Sequence, residues 1–230
     1  MNDPTSERVE PAHREPVEIE VKLGVSKPRR LARLVREFDT ELLGEFRAVG
    51  PARLVIHTDR YFDTAAEGGR LVRNAMRARL RRDGRSVILA VKHSGAEADG
   101  ITTRAELEGP ATDDLDPRRW PASDARAVLV AAIGDLPLVE VARLRQRRLT
   151  RLVRGHGATI ELSLDRVDAL VDGRVVDRRY ELEAELKSGD ASGLSMLLGE
   201  LSRIDGLGPA AGSKLAFALG AQARADAPEH

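Results

Sequence analysis

The chain has no cysteine, few aromatic residues, no net charge and no long apolar run. Each absence excludes something. Without cysteine there is no disulfide framework and no thiolate chemistry. Aromatic residues make up 3% of the chain, which disfavours recognition of a nucleobase or thiazolium ring by stacking. Lys+Arg and Asp+Glu balance at 37 each, whereas a general nucleic-acid coat protein needs excess cation. No nucleic-acid partner is therefore expected, although a local basic patch stays open. No apolar run approaches the roughly 18–20 residues of a membrane span. The N-terminus is polar and acidic through Glu15, unlike a signal peptide. A soluble cytoplasmic protein without membrane contact is the expectation. Lysine is scarce too: 5 lysines stand against 32 arginines, so Lys22, Lys27, Lys92, Lys187 and Lys214 stand out.

What is present is a chain of 230 residues with 42% hydrophobic content, enough for a sizeable core. Residues 1–14 read as a disordered lead, 15–220 as a single domain and 221–230 as a flexible tail. Strands are expected at 17–23, 46–49, 53–63, 75–82, 86–92, 101–108, 138–154, 158–170 and 173–187. Asp83-Gly84, Gly155-His156-Gly157 and Asp172-Gly173 read as turns. Ser26 and Pro28 open a helix running to about Leu43, Ser123 caps one to about Ile133, Asp190 caps one over 191–203, and a last begins near Ser213. The order suggests an α+β fold with a large antiparallel sheet able to close on itself. There is no Walker-type phosphate loop and no dinucleotide fingerprint.

The strands carry unusual rows of charge. In Glu18-Ile19-Glu20-Val21-Lys22 one strand face holds two carboxylates and an ammonium. Hard carboxylate oxygens suit Mg²⁺ or Mn²⁺, and a cation suits phosphate. Similar rows recur at Arg77/Arg79/Arg81, Arg104/Glu106/Glu108, Arg143/Arg145/Arg147, Glu161/Ser163/Asp165 and Glu181/Glu183/Glu185. One such row reads as a solvated sheet face. Acidic and basic rows on different strands instead read as an internal site for a polyanion with metal, because like charges in a row repel and need a counter-ligand.

In this order the motifs resemble the CYTH superfamily, or triphosphate tunnel metalloenzymes, over roughly residues 16–219. The resemblance rests on ExExK at Glu18, Glu20 and Lys22, then Tyr61-Phe62-Asp63-Thr64 followed by Arg77 and Arg79. Lys92, the RxExE of Arg104, Glu106 and Glu108, and an arginine-rich strand from Arg145 to Arg148 come next. Glu161 with Asp165, Glu183 with Glu185, and Ser213-Lys214 complete it. The resemblance implies a closed eight-stranded antiparallel β-barrel, a triphosphate tunnel with flanking helices and inward-facing charge.

By the same resemblance Glu18, Glu20 and Lys22 are the catalytic set. Glu18 and Glu20 would hold Mg²⁺ or Mn²⁺ with Glu183 and Glu185, and with Asp165 nearby. Glu106 and Glu108 would hold a second metal or orient the arginines. Lys22, Arg77, Arg79, Lys92, Arg104, Arg147 and Lys214 would bind phosphate, with Arg145 the alternative to Arg147 and Arg148 on the opposite face. The implied activity is metal-dependent hydrolysis of a triphosphate, with inorganic tripolyphosphate first. Thiamine or nucleoside triphosphates, a class IV-type adenylate cyclase reaction, and a non-catalytic polyphosphate or nucleotide sensor are the alternatives. A small triphosphate or polyphosphate is the expected partner, and the protein a monomer or homodimer. The five histidines read as surface or strand positions, Trp120 as a packing anchor, and Asp59 and Asp63 as structural.

Overall fold

The computed structural model describes residues 16–37, 43–65 and 68–227. Among these residues ten strands lie in one antiparallel sheet: β1 (Val17–Val25), β2 (Arg47–Thr64), β3 (Met76–Asp83), β4 (Ser86–His93), β5 (Ala96–Ala98), β6 (Ile101–Pro110), β7 (Leu138–Gly155), β8 (Ala158–Val171), β9 (Arg174–Ser188) and β10 (Leu207–Pro209). Eight of them close into a barrel in the order β1-β9-β8-β7-β2-β3-β4-β6, because β6 pairs back onto β1. Among the described residues five α-helices flank it: α1 (Pro28–Glu37), α2 (Arg70–Arg73), α3 (Asp124–Ile133), α4 (Ala191–Leu201) and α5 (Lys214–Ala225). The closed barrel with inward charge is thus as the motif order implied.

The apolar faces of the strands point outward, towards helices. Val21, Ile160, Leu162 and Leu182 pack against Leu31 and Val35 of α1 and Leu194 and Leu197 of α4. On another side Ala78, Leu80, Leu89 and Leu107 pack against Leu71 of α2 and Leu129 and Ile133 of α3. Trp120 joins this cluster as the expected anchor, its indole N–H donating to the Asp114 carbonyl at 2.8 Å. Each fully buried leucine stabilises by roughly 1.5–3 kcal/mol. Burying these stripes under helices leaves the charged faces to line the inside.

One end of the interior is filled by α5. Ala218, Ala221 and Leu215 pack on Leu144, Val167 and Ala169, which share strand faces with Arg148 and Asp165. This burial carries the helix to Ala225, so residues 221–225 are helical where a tail was expected. Residues 1–14 of the expected lead and 228–230 of the expected tail lie outside the described residues. The two strands expected at 46–49 and 53–63 are one, β2, with a register irregularity between Val49 and Arg53. Gly50 has φ +72° and Pro51 lacks an amide hydrogen, which explains a local bulge rather than a break. The short β5, β10 and α2 were not expected; pieces of three or four residues carry no readable periodicity. The expected end of α1 near Leu43 falls partly in 38–42, outside the described residues. Two-residue turns join the long hairpins: His156 and Gly157 (φ +48° and +72°) and Asp172 and Gly173 (φ +49° and +76°), the doubly left-handed pair that matches strand twist.

Candidate active site

Inside the barrel is a cavity of about 270 Å³. Strand register explains its lining. Glu18, Glu20 and Lys22 project from β1, Arg77, Arg79 and Arg81 from β3, and Lys92 from β4. Arg104, Glu106 and Glu108 come from β6, Arg148 from β7, and Glu161, Glu183 and Glu185 from β8 and β9. Lys214, at the first position of α5 after the Ser213 cap, enters from the plugged end. Cross-strand partners share a face, so Lys92 opposite Glu106 and Lys22 opposite Glu183 set acid against base.

The charges form a chain of ion pairs. Glu18 accepts from Lys92 Nζ at 2.9 Å and Arg104 Nε at 2.7 Å. Arg104 Nη2 also donates to Glu20 at 2.6 Å. Lys92 lies 3.0 Å from Glu106. Glu183 meets Lys22 at 2.9 Å, Lys214 at 3.0 Å and Arg148 at 2.5 Å. Burial by itself would raise Glu18, but Lys92 and Arg104 bring its pKa down to about 2. Burial also opposes ionisation of Glu183, yet Lys214, Lys22 and Arg148 hold it well below the usual range. Glu20 behaves oppositely: burial and then the Glu183 charge push it up. Glu106 is pushed up mainly by burial. Lys92 is pulled down by burial and by neighbouring Arg79.

Most expected site residues therefore meet at one cavity. Three do not line it. Arg145 and Arg147 sit on the outer barrel face; Arg145 bonds Asp168 at 3.2 Å. Their assignment to phosphate is corrected by the strand parity: odd residues of β7 continue into Leu149 and Val153, which pack outward in the α1 cluster. Arg148, of the opposite parity, faces the cavity. Asp165 is fully buried behind the wall, accepting from Arg148 at 2.8 and 2.6 Å and from Lys214 at 2.5 Å. Sequence reasoning also left out Arg81, Glu161, Lys187 and Tyr61 from the lining. Alternation with Arg79 and Asp165 was the available signal for Arg81 and Glu161. Tyr61 stood in the Tyr61–Thr64 motif without an assigned role, and for Lys187 a strand-end charge gave no signal. Burial raises the Tyr61 phenol to about 12, so it stays a neutral hydrogen-bonding group.

The donor set fits a divalent cation in kind. Glu20 lies opposite Glu185 and close enough to Glu183 for their charges to compete, and Glu106 has a buried carboxylate oxygen without a hydrogen-bond partner. Among the described residues, however, no three such side chains form a preassembled cluster, because cations stand between them. The cavity thus holds oxygen donors for a hard metal and nitrogen donors for a polyanion, each occupied by the other.

Residues 16–217 match the CYTH domain model, and the chain belongs to that family. Solved structures share the fold. HpAC1 from Hippeastrum, described as an adenylyl cyclase candidate that reveals a dominant triphosphatase activity, is 19% identical, with a TM-score of 0.63, covering 88% of this chain and 95% of that one. An adenylate cyclase candidate from Bacillus halodurans is 16% identical (TM-score 0.55, coverage 88% and 98%). The PH1819 protein of Pyrococcus horikoshii is 19% identical (TM-score 0.51, coverage 90% and 99%). No curated protein matches the chain. Among the described residues no helix is long and apolar enough to cross a membrane.

Proposed function

We propose that the protein hydrolyses a triphosphate, with inorganic tripolyphosphate yielding pyrophosphate and phosphate. The observation that carries this reading is the interleaved lining: Lys22, Arg77, Arg79, Lys92, Arg104, Arg148 and Lys214 share one cavity with Glu18, Glu20, Glu183 and Glu185. A pure anion binder has no need of four carboxylates facing its ligand. Tyr61 is the aromatic residue in this lining, which suits a substrate that is nearly all phosphate. Family membership supports a small triphosphate substrate and dependence on a divalent cation.

In this reading water attacks the terminal phosphorus, a new O–P bond forms and the anhydride P–O bond to the pyrophosphate group breaks. Negative charge spreads over the phosphoryl oxygens, and guanidinium and ammonium groups already fixed around it stabilise that charge without reorganising. Lys92 contributes donors from one wall and Lys214 from the plugged end. Glu18, Glu20, Glu183 and Glu185 would hold Mg²⁺ or Mn²⁺, with Glu106 and Glu108 suited to a second ion. When bound, such a cation neutralises phosphate charge and lowers the pKa of a coordinated water. Asp165, behind Arg148 and Lys214, holds those cations in place.

A second reading has its own observation. A neighbouring cavity of about 740 Å³ shares Glu20, Lys22, Arg77, Arg104 and Ser213 with the first. It offers room for an organic group on a triphosphate, as in thiamine or nucleoside triphosphates. One phosphate-release panel separates the readings: tripolyphosphate, longer polyphosphate, thiamine triphosphate and ATP, each with Mg²⁺, Mn²⁺ or no metal, with cyclic AMP monitored. Preference for tripolyphosphate is expected. Turnover of none, with binding retained, would point to a sensor.

A further inference from the structure

Behind the arginines of β3 lies a buried polar layer that does not line the cavity. Its centre is Asp59 of β2, 0% exposed. Arg81 forks onto it, Nε at 2.8 Å from one carboxylate oxygen and Nη2 at 2.9 Å from the other. Arg79 Nη1 lies 3.8 Å away, and the Gln146 amide of β7 donates to the same carboxylate. His57 Nε2 is 4.0 Å from it. Arg79 and Arg81 continue past Asp59 into the cavity wall.

Two half-buried guanidiniums that share a cavity lining with Lys92, Arg104 and Arg148 repel one another and have many rotamers open to them. A carboxylate fixed behind them removes both problems, because the fork geometry of arginine allows few orientations on a bidentate partner. Burial opposes ionisation of Asp59, but Arg79 and Arg81 hold its pKa well below the ordinary carboxylate range. His57, kept neutral by burial and by Arg81, does not compete for that charge.

We propose that Asp59 is a positioning residue, whose carboxylate orients Arg79 and Arg81 towards the triphosphate without touching it. This rests on the triphosphate reading of the cavity. The sign of the effect makes it testable. Deleting a negative charge beside an anion site, taken alone, makes the site more positive and tightens anion binding. Loss of orientation weakens it and slows turnover, because small misplacement of a positioned group is costly.

The test compares wild type with Asp59→Asn and Gln146→Met. Readouts are kcat and KM for tripolyphosphate, calorimetric binding of tripolyphosphate, and the NMR signals of the Arg79 and Arg81 Nε–H groups. For Asp59→Asn we expect kcat about 10–100-fold lower, weaker tripolyphosphate binding and loss of exchange protection at the Arg81 Nε–H. Gln146→Met should move all three in the same direction by less. A folded Asp59→Asn with unchanged kcat, or with tighter tripolyphosphate binding, overturns the proposal even if its melting temperature falls. Should Asp59→Asn not fold, unchanged kcat and Arg81 protection in Gln146→Met overturn it instead. A wild-type protein that neither binds nor hydrolyses any triphosphate defeats the functional reading itself, and is recognised before any variant is made.

Discussion

Arg147 and Arg148 are neighbours in the chain and belong to different worlds. Arg148 points into the barrel, where it meets Asp165 and Glu183 at 2.5–2.8 Å. Arg147 is exposed on the outer face opposite Arg166. On that face Arg145, Arg166 and Arg178 all converge on Asp168, at 3.2, 2.9 and 2.6 Å. The outer arginines share one carboxylate and are otherwise partly open to solvent. The inner arginines must be matched by carboxylates, because water is scarce and an unpaired buried charge is costly. Equal residue types at adjacent positions thus carry different energies, set by which side of a strand they occupy.

The largest expected effect concerns the inside. Glu20→Ala should lower triphosphate turnover by about 10²–10³-fold and blunt its metal dependence; phosphate release at several Mg²⁺ and Mn²⁺ concentrations measures both. Full activity in that variant would remove Glu20 from the machinery.

Next comes the direct contrast. Arg148→Met takes away the forked cation of Asp165 and one of the three cations of Glu183, leaving Lys214 and Lys22, and should cost about 3 kcal/mol of stability, the lower end for breaking a buried pair, whereas Arg147→Met should change stability by within about 0.5 kcal/mol. Urea unfolding of both variants reads this difference. Similar losses in the two would erase the distinction between the faces.

Acid pH compares one carboxylate from each region. Burial opposes ionisation of both, but Lys92 and Arg104 hold Glu18, and arginines led by Arg166 hold Asp168, down to about 2. Their folded pKa values lie below the ordinary 4.5 and 3.8. Each therefore stabilises the fold above the ordinary value, and that contribution is lost as pH falls towards 2. Glu18→Gln and Asp168→Asn should each flatten stability over this window. Variants that track the wild-type acid profile would contradict the pairing.

The smallest effect is at His57. Burial first, then the Arg81 charge, lower its pKa to about 3. A folded value depressed below 6.5 stabilises the fold above pH 6.5, and that share is lost as pH falls through about 3. Its imidazole NMR signals should remain those of the neutral ring at pH 5; a protonated ring there would show a wetter interior.

Much of the barrel was legible because alternation survives in each strand. Glu18/Glu20/Lys22, Arg77/Arg79 and Glu183/Glu185 announced charged faces without any structure. The row Arg143/Arg145/Arg147 looked the same and faces the other way. Its signal lay further along the strand, at Leu149 and Val153, whose burial under α1 fixes the parity. His57 had no sequence signal, since a histidine between two apolar-capable strand positions reads alike on either face. Asp59 and Gln146 lie far apart in the chain and meet only where β2 pairs with β7. The larger cavity was illegible for the same reason: its walls come from β1, β3, β4, β5, β6, β10 and α4.

The sequence by itself determined the strands, the inward-capable charge rows and the family, because side-chain period and motif order are local properties of the chain. The tertiary structure decided which face is inside. It did so through helices α1, α3 and α4, which cover the apolar stripes and leave the charged ones to close on themselves. It also separated wall from support: Arg148 and Lys214 face the cavity, while Asp165 and Asp59 stand behind it. That division depends on depth across several strands, a quantity that spacing along one strand does not contain.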